Sequence, residues 1–163
     1  MNLKDLDVRV GQPEEIHDVM DLAMMACAEN GFANPNQVKL CEQIWAGLNL
    51  DNGIVGCIGD QGKLEGAILL RISDVWYSDD RVLEEKAIFI HPEYRSAKGG
   101  RARRLCEFAK RASEMLEVPL LIGVLSNHRT EAKVRLYERQ FGSPTGAFFL
   151  YNGRTGSVRA AAE

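Results

Sequence analysis

The chain has 163 residues, 45% of them hydrophobic and 26% charged, with a formal net charge of -3. That length suits one domain with a core of its own, and the composition is ordinary for a soluble globular protein. A pI near 5.7 argues against a general nucleic-acid binder, and no apolar run approaches the roughly 20 residues that a membrane span needs.

The first residues, MNLKDLDVRV, lack the apolar stretch of a secretory signal, so the expectation is a cytoplasmic protein. Asp7–Val10 alternates and predicts a short strand. Pro13 then opens a helix, where its missing N–H costs nothing, and Glu14, Glu15 and Asp18 suit the positive end of the helix dipole. Ile16, Val19, Met20, Ala23 and Cys27 form one apolar stripe, and Gly31 ends it. Asn34-Pro35-Asn36 is a loop with a cap for a second helix over about 37–48, with Val38, Cys41, Ile44, Trp45 and Leu48 on one side. Three strands follow. Ile54–Gly59 and Leu64–Ile72 are joined by the hairpin loop Asp60-Gln61-Gly62-Lys63, and the acidic aromatic loop Asp74–Asp80 leads to Arg81–Ile90.

The last of these strands runs through Ala87, Ile88, Phe89 and Ile90 and stops at Pro92. A turn containing Gly99 and Gly100, flanked by Arg95, Lys98 and Arg101, leads to a helix. Leu105, Phe108, Ala109, Ala112, Met115 and Leu116 lie on its apolar face. A strand feeding a glycine-rich turn and then a helix is a ready anion site, because the first N–H groups of the helix are unpaired and glycine lets a phosphate approach. The simpler reading is a turn followed by a solvated basic face. Arg95, Lys98, Arg101, Arg103, Arg104, Lys110 and Arg111 oppose the negative sign of the whole chain, which favours a bound polyanion of limited size.

Pro119–Leu125 is a continuous apolar run that predicts a strand buried on both faces. Ser126-Asn127-His128 is a loop. A helix over about 129–141 carries Val134, Tyr137 and Phe141 on one side, and Gly142 is its stop. Gly146–Tyr151 predicts a last strand. The fold class expected is α/β, or mixed α+β: a mixed, mostly antiparallel sheet with helices on both faces. Residues 1–151 would form one domain, and 152–163 a flexible tail. The four cysteines, Cys27, Cys41, Cys57 and Cys106, form no CxxC pair and have no histidine at a ligand spacing, so they read as reduced thiols and no metal site is expected.

The order of elements and the run IFIHPEYR, followed by a basic glycine-rich turn, resemble the GNAT acetyltransferase superfamily. Leu136-Tyr137-Glu138-Arg139-Gln140-Phe141-Gly142 resembles the later family motif. The glycines here are spaced differently from the family turn. Aligned backward from Leu105, Gly100 and Ala102 take its last two small positions.

The resemblance implies the GNAT acyl-CoA N-acyltransferase fold and acetyl transfer from acetyl-CoA to a small-molecule or peptide amine. Charge and hydropathy give no membrane partner and disfavour nucleic acid, and a homodimer stays open. Pyrophosphate would lie on the amides of Gly99, Gly100, Arg101 and Ala102, helped by Arg95, Lys98 and Arg101. The pantetheine arm would run along Ile88, Phe89 and Ile90, with the Ile88 amide polarising the thioester. Glu84 is the implied base, because strand alternation puts it on one face with Ile88 and Ile90. Glu85 ranks second, reaching that face only if a bulge intervenes, and both could be plain strand-end carboxylates. Tyr137 is the implied acid toward the sulfur, or else a core aromatic beside Val134 and Phe141. Ser126 and Asn127 would orient cofactor or substrate, with helix capping an equal reading for Asn127. A GNAT-like module that binds CoA or a protein partner without turnover is the alternative.

Overall fold

A computed structural model describes residues 7–95, 98–125 and 130–152. Strand β1 (Arg9–Val10) precedes helices α1 (Ile16–Asn30) and α2 (Gln37–Leu48). Strands β2 (Gly53–Asp60), β3 (Lys63–Asp74) and β4 (Arg81–Ile90) form a meander, followed by α3 (Arg101–Leu116), β5 (Leu120–Leu121) and α4 (Thr130–Phe141). The sheet order is β1-β2-β3-β4-β5. Neighbours are antiparallel until β5, which returns through α3 to lie parallel to β4. The sheet is therefore mixed and mostly antiparallel, as the element order predicts.

Local chemistry accounts for the helix ends. Gly31 stands at φ +60 and donates its N–H to the Cys27 carbonyl, closing α1. The Asn36 side chain accepts from the Lys39 N–H at 3.0 Å and starts α2. Gly142, at φ +91, donates to the Glu138 carbonyl and stops α4.

Two apolar layers sandwich the sheet. Val55, Cys57, Ala67, Leu69 and Phe89 pack against α1 and α2 through Val19, Leu22, Ile44 and Leu48. On the opposite face Ile58, Ile68, Leu70 and Leu83 meet Leu105, Phe108, Ala109 and Ala112 of α3. Phe108 is fully buried, a placement that stabilises the fold by about 2–3 kcal/mol. Its ring passes over Gly56, where an added Cβ would lie 2.7 Å away.

The start of α1 is tied to the sheet by a buried carboxylate. Glu15 takes both terminal nitrogens of Arg9, at 2.8 and 2.6 Å, and the Gln12 N–H at 2.8 Å. Burial raises the Glu15 carboxyl, but these bonds outweigh it and hold it below the usual range. This anchor fixes the direction of α1, whose C-terminal end then reaches the edge of β4.

The second half departs from expectation in three places: Met115 and Leu116, expected on the apolar face of α3, are 63% and 47% exposed, and two expected strands fall short. The Pro119–Leu125 run forms a strand only at Leu120–Leu121, with Leu121 54% exposed, so it is not covered on both faces. Gly146–Tyr151 forms no strand, and Phe149 and Tyr151 are almost fully exposed. Both segments have strand-like composition, but a strand needs a hydrogen-bonded neighbour, and β5 leaves β4 after two pairs. Ser126, Asn127, His128 and Arg129, and the tail from residue 153, lie outside the described residues. Among the described residues, no helix is long and apolar enough to cross a membrane.

Candidate active site

The site is built on the free edge of β4. β4 pairs with β5 only at Leu83–Leu120 and Glu84–Leu121, and beyond that point the two strands diverge. The His91 N–H donates to the Glu65 carbonyl of β3. Alternation therefore turns Phe89 toward β3 as well, and turns the backbone groups of Ile88 and Ile90 into the gap. The Ile90 carbonyl is bonded on that side, to Arg95 Nε at 2.9 Å.

A cleft with two arms occupies the gap. The larger arm, about 480 Å3, is bounded by the end of α1, β4 from Glu84 to Phe89, the segment after Leu121, and α4. The smaller, about 340 Å3, runs along Ile88, Phe89 and Ile90 to Gly100, Arg101, Ala102 and Arg103 at the start of α3. Glu29, Ile88, Phe89, Lys133 and Tyr137 line both arms and mark their junction.

The smaller arm ends at an uncapped helix N-terminus. Gly99 stands at φ +132, and Gly100, the N-cap, at φ +56. The left-handed turn favours glycine there, and no side chain caps the helix. The first intrahelical bond runs from the Arg104 N–H to the Gly100 carbonyl. The amides of Arg101, Ala102 and Arg103 precede it, so helix geometry gives them no partner within α3. The dipole adds to their attraction for an anion.

Two of the three cations predicted to help them, Arg95 and Arg101, line the smaller arm but are each paired with a carboxylate. Arg95 pairs with Glu29 of α1 at 2.6 Å and lies over the Phe89 ring. Arg101 pairs with Glu65 at 2.9 Å and lies over Tyr94. Lys98 is exposed, and neither it nor Gly99 lines the smaller arm.

A bulge decides which carboxylate faces the chemistry. The β3–β4 register pairs Leu69 with Ala87 but Leu70 with Glu85, leaving Lys86 without a partner. Glu85 therefore lies opposite Leu70 and shares the α3 face with Leu83, Ile88 and Ile90. Glu84, opposite Arg71, faces the other way and pairs with Lys86. The expectation that alternation puts Glu84 beside Ile88 is corrected by this one inserted residue. Both carboxylates line the larger arm.

Burial pushes the Glu85 carboxyl up to about 7, although the Gly123 N–H bonded to it and the ammonium groups of Lys133 and Lys86 favour its ionised form. Tyr137 sits edge-on to Phe141, with ring centroids 5.8 Å apart. Burial first, then the charges of Glu85 and Cys106, push its hydroxyl well above the usual tyrosine value. It stays protonated at any working pH. Burial pushes the Cys57 and Cys106 thiols up to about 12, so neither is a ready nucleophile.

The structure thus brings Ile88, Phe89, Ile90, Gly100, Arg101, Ala102 and Tyr137 together with Glu84 and Glu85 around one cleft. Sequence reasoning missed three contributors. Lys133 lies one helical turn before Tyr137, a spacing that could have signalled it. Arg103 follows the expected anion amides directly. Glu29 carries no local signal, since only the tertiary fold brings it to Arg95.

No protein-family model and no curated protein sequence matches the chain. Solved structures do. An integron cassette protein from the mobile metagenome of Cole Harbour Salt Marsh superposes with a TM-score of 0.68 at 20% identity, over 90% of this chain and 89% of that one. A possible acetyltransferase from Clostridium difficile 630 gives 0.66 at 15% identity, over 89% and 95%. A predicted acetyltransferase with acetyl-CoA from Clostridium acetobutylicum gives 0.66 at 12% identity, over 89% and 94%. The diverging β4 and β5, the uncapped start of α3 and these superpositions together show that the chain has the fold of the GNAT acetyltransferases.

Proposed function

We propose that the protein is an N-acetyltransferase that takes its acetyl group from acetyl-CoA and passes it to a primary amine. The observation that carries this reading is the free β4 edge at Ile88, placed where the two arms of the cleft meet. A pantetheine arm is an extended chain of amides, and it can add to such an edge as a strand would. The diphosphate then reaches the amides of Arg101, Ala102 and Arg103. The Ile88 N–H meets the thioester oxygen as negative charge develops there. The acceptor enters through the larger arm, and Glu85 takes the proton its nitrogen loses on attack. As the C–S bond breaks, Tyr137 supplies a proton to the sulfur. Once protonated, Glu85 no longer raises the tyrosine, so the phenol is a better acid at the moment it is needed. One superposed structure, a predicted acetyltransferase, was solved with acetyl-CoA, which supports acetyl-CoA as the donor. The free cysteines fit a reducing cytoplasm.

A second reading, a module that binds CoA without turnover, draws on Arg95 and Arg101, whose charges are already paired with Glu29 and Glu65. Two measurements separate the readings. Acetyl-CoA at 100 times its dissociation constant should stabilise the fold by about 2.7 kcal/mol. No rise in melting temperature at millimolar acetyl-CoA would remove both. Thiol release across a panel of amines supports the enzyme, and binding without release supports the module.

Replacing Gly100 by Val should weaken acetyl-CoA binding, because a branched side chain then stands at the mouth of the anion site. The left-handed φ at Gly100 adds strain of about 1–2 kcal/mol. Gly62, at φ +84 with nothing within 4 Å, is a matched control for strain alone. Titration calorimetry on Gly100→Val and Gly62→Val checks this. Unchanged affinity in Gly100→Val would move the phosphates elsewhere.

A further inference from the structure

Arg95 occupies two positions that the ligands of the proposed reaction need. Its Nε takes the Ile90 carbonyl on the free edge of β4, where the pantetheine arm would add. Its other end holds Glu29 at 2.6 Å, and Glu29 lines both arms of the cleft. Around Glu29 the larger arm is suited to a cation. It sits in the last turn of α1, which carries no basic residue and presents the negative end of the helix dipole. Beside it the Asn30 side-chain oxygen is buried with no hydrogen-bond partner among the described residues. The arm is lined by Glu29, Glu84 and Glu85 against Lys86 and Lys133, and with Glu84 and Lys86 paired to each other, Glu29 and Glu85 remain against Lys133.

Resting on the acetyltransferase reading, we propose that Arg95 couples the two arms. In the unliganded protein it neutralises Glu29. When CoA takes the β4 edge, Arg95 leaves, and Glu29 is released to bind a second ammonium group of a diamine acceptor whose first amine lies at Glu85. The acceptor class is therefore a primary amine with a second cationic group, bound after the cofactor. The coupling is reciprocal, so the diamine tightens CoA by the same factor that CoA tightens the diamine.

The test is titration calorimetry with CoA, 1,4-diaminobutane and butylamine on the whole chain and on Glu29→Gln. Glu29 is a partly exposed side chain, 31% accessible, so the variant keeps the fold. In the parent, CoA should tighten 1,4-diaminobutane on the order of tenfold and leave butylamine unchanged. Glu29→Gln should lose that gain, yet bind CoA at least as tightly as the parent, because Arg95 is no longer held by a charge. An equal gain for butylamine, or a gain that survives in Glu29→Gln, overturns the coupling. A parent that binds CoA and acetylates amines without any diamine gain overturns the coupling alone. A parent that binds no CoA overturns the functional reading with it.

Discussion

Glu85→Gln should lower kcat by about 10²- to 10⁴-fold, the range for loss of a positioned general base. The argument rests on where the bulge at Lys86 puts the carboxylate and on its raised pKa of about 7. The parent enzyme should gain activity as pH rises through 7, when Glu85 ionises, and the variant should lose that limb of the profile. The same shift makes a stability prediction of definite sign. A carboxyl raised in the folded state binds protons between its unfolded value, near 4.5, and 7 that the unfolded chain has already released. Stability from this group is therefore highest below 4.5 and falls as pH rises through the window. Glu85→Gln should match the parent at pH 4.5 and exceed it in melting temperature at pH 8. Glu84→Gln, on the other face and paired with Lys86, should change neither kcat nor this pH dependence to a comparable degree. Loss of turnover in Glu84→Gln, with Glu85→Gln unaffected, would return the base to the residue that simple alternation selects.

Tyr137→Phe should lower turnover by about 10²-fold and leave CoA affinity nearly unchanged. The ring keeps its edge contact with Phe141 and its place at the junction of the two arms. Stability should move by about 1 kcal/mol or less, since only a hydroxyl is lost. If the tyrosine is packing alone, the pattern reverses. Phe then retains full activity, and only Tyr137→Ala has a large effect, a loss of about 3 kcal/mol or more in stability. Measuring melting temperature and turnover for both variants distinguishes the two roles.

The helices and the meander were legible in the sequence because their signals are local. Asn36, Gly31 and Gly142 mark helix ends by their own side chain or backbone freedom, and the apolar stripes of α1 and α3 repeat at the helical period. The strand–turn–helix unit from Ala87 to Leu105 was legible for the same reason. The bulge was not. LEEKAIFI contains no glycine or proline to announce an extra residue, and its alternation can be read in either phase until Leu70 is placed opposite Glu85. Pro119–Leu125 and Gly146–Tyr151 carry strand composition, but pairing is a tertiary fact and composition cannot supply it. The arginines near the turn were legible as cations but not as partners of acids. Glu29 and Glu65 are remote in sequence, and the fold alone brings them to Arg95 and Arg101.

The central claim is that acetyl-CoA lies along the free edge of β4 with its phosphates at the start of α3. Amide hydrogen exchange with and without acetyl-CoA tests it most directly, since it reads the backbone groups the claim invokes. Binding should slow exchange in peptides spanning residues 86–91 and 99–103, while α2, buried against the opposite face of the sheet, should exchange at an unchanged rate. Acetyl-CoA that binds without protecting either segment, or that protects α2 instead, would contradict the account.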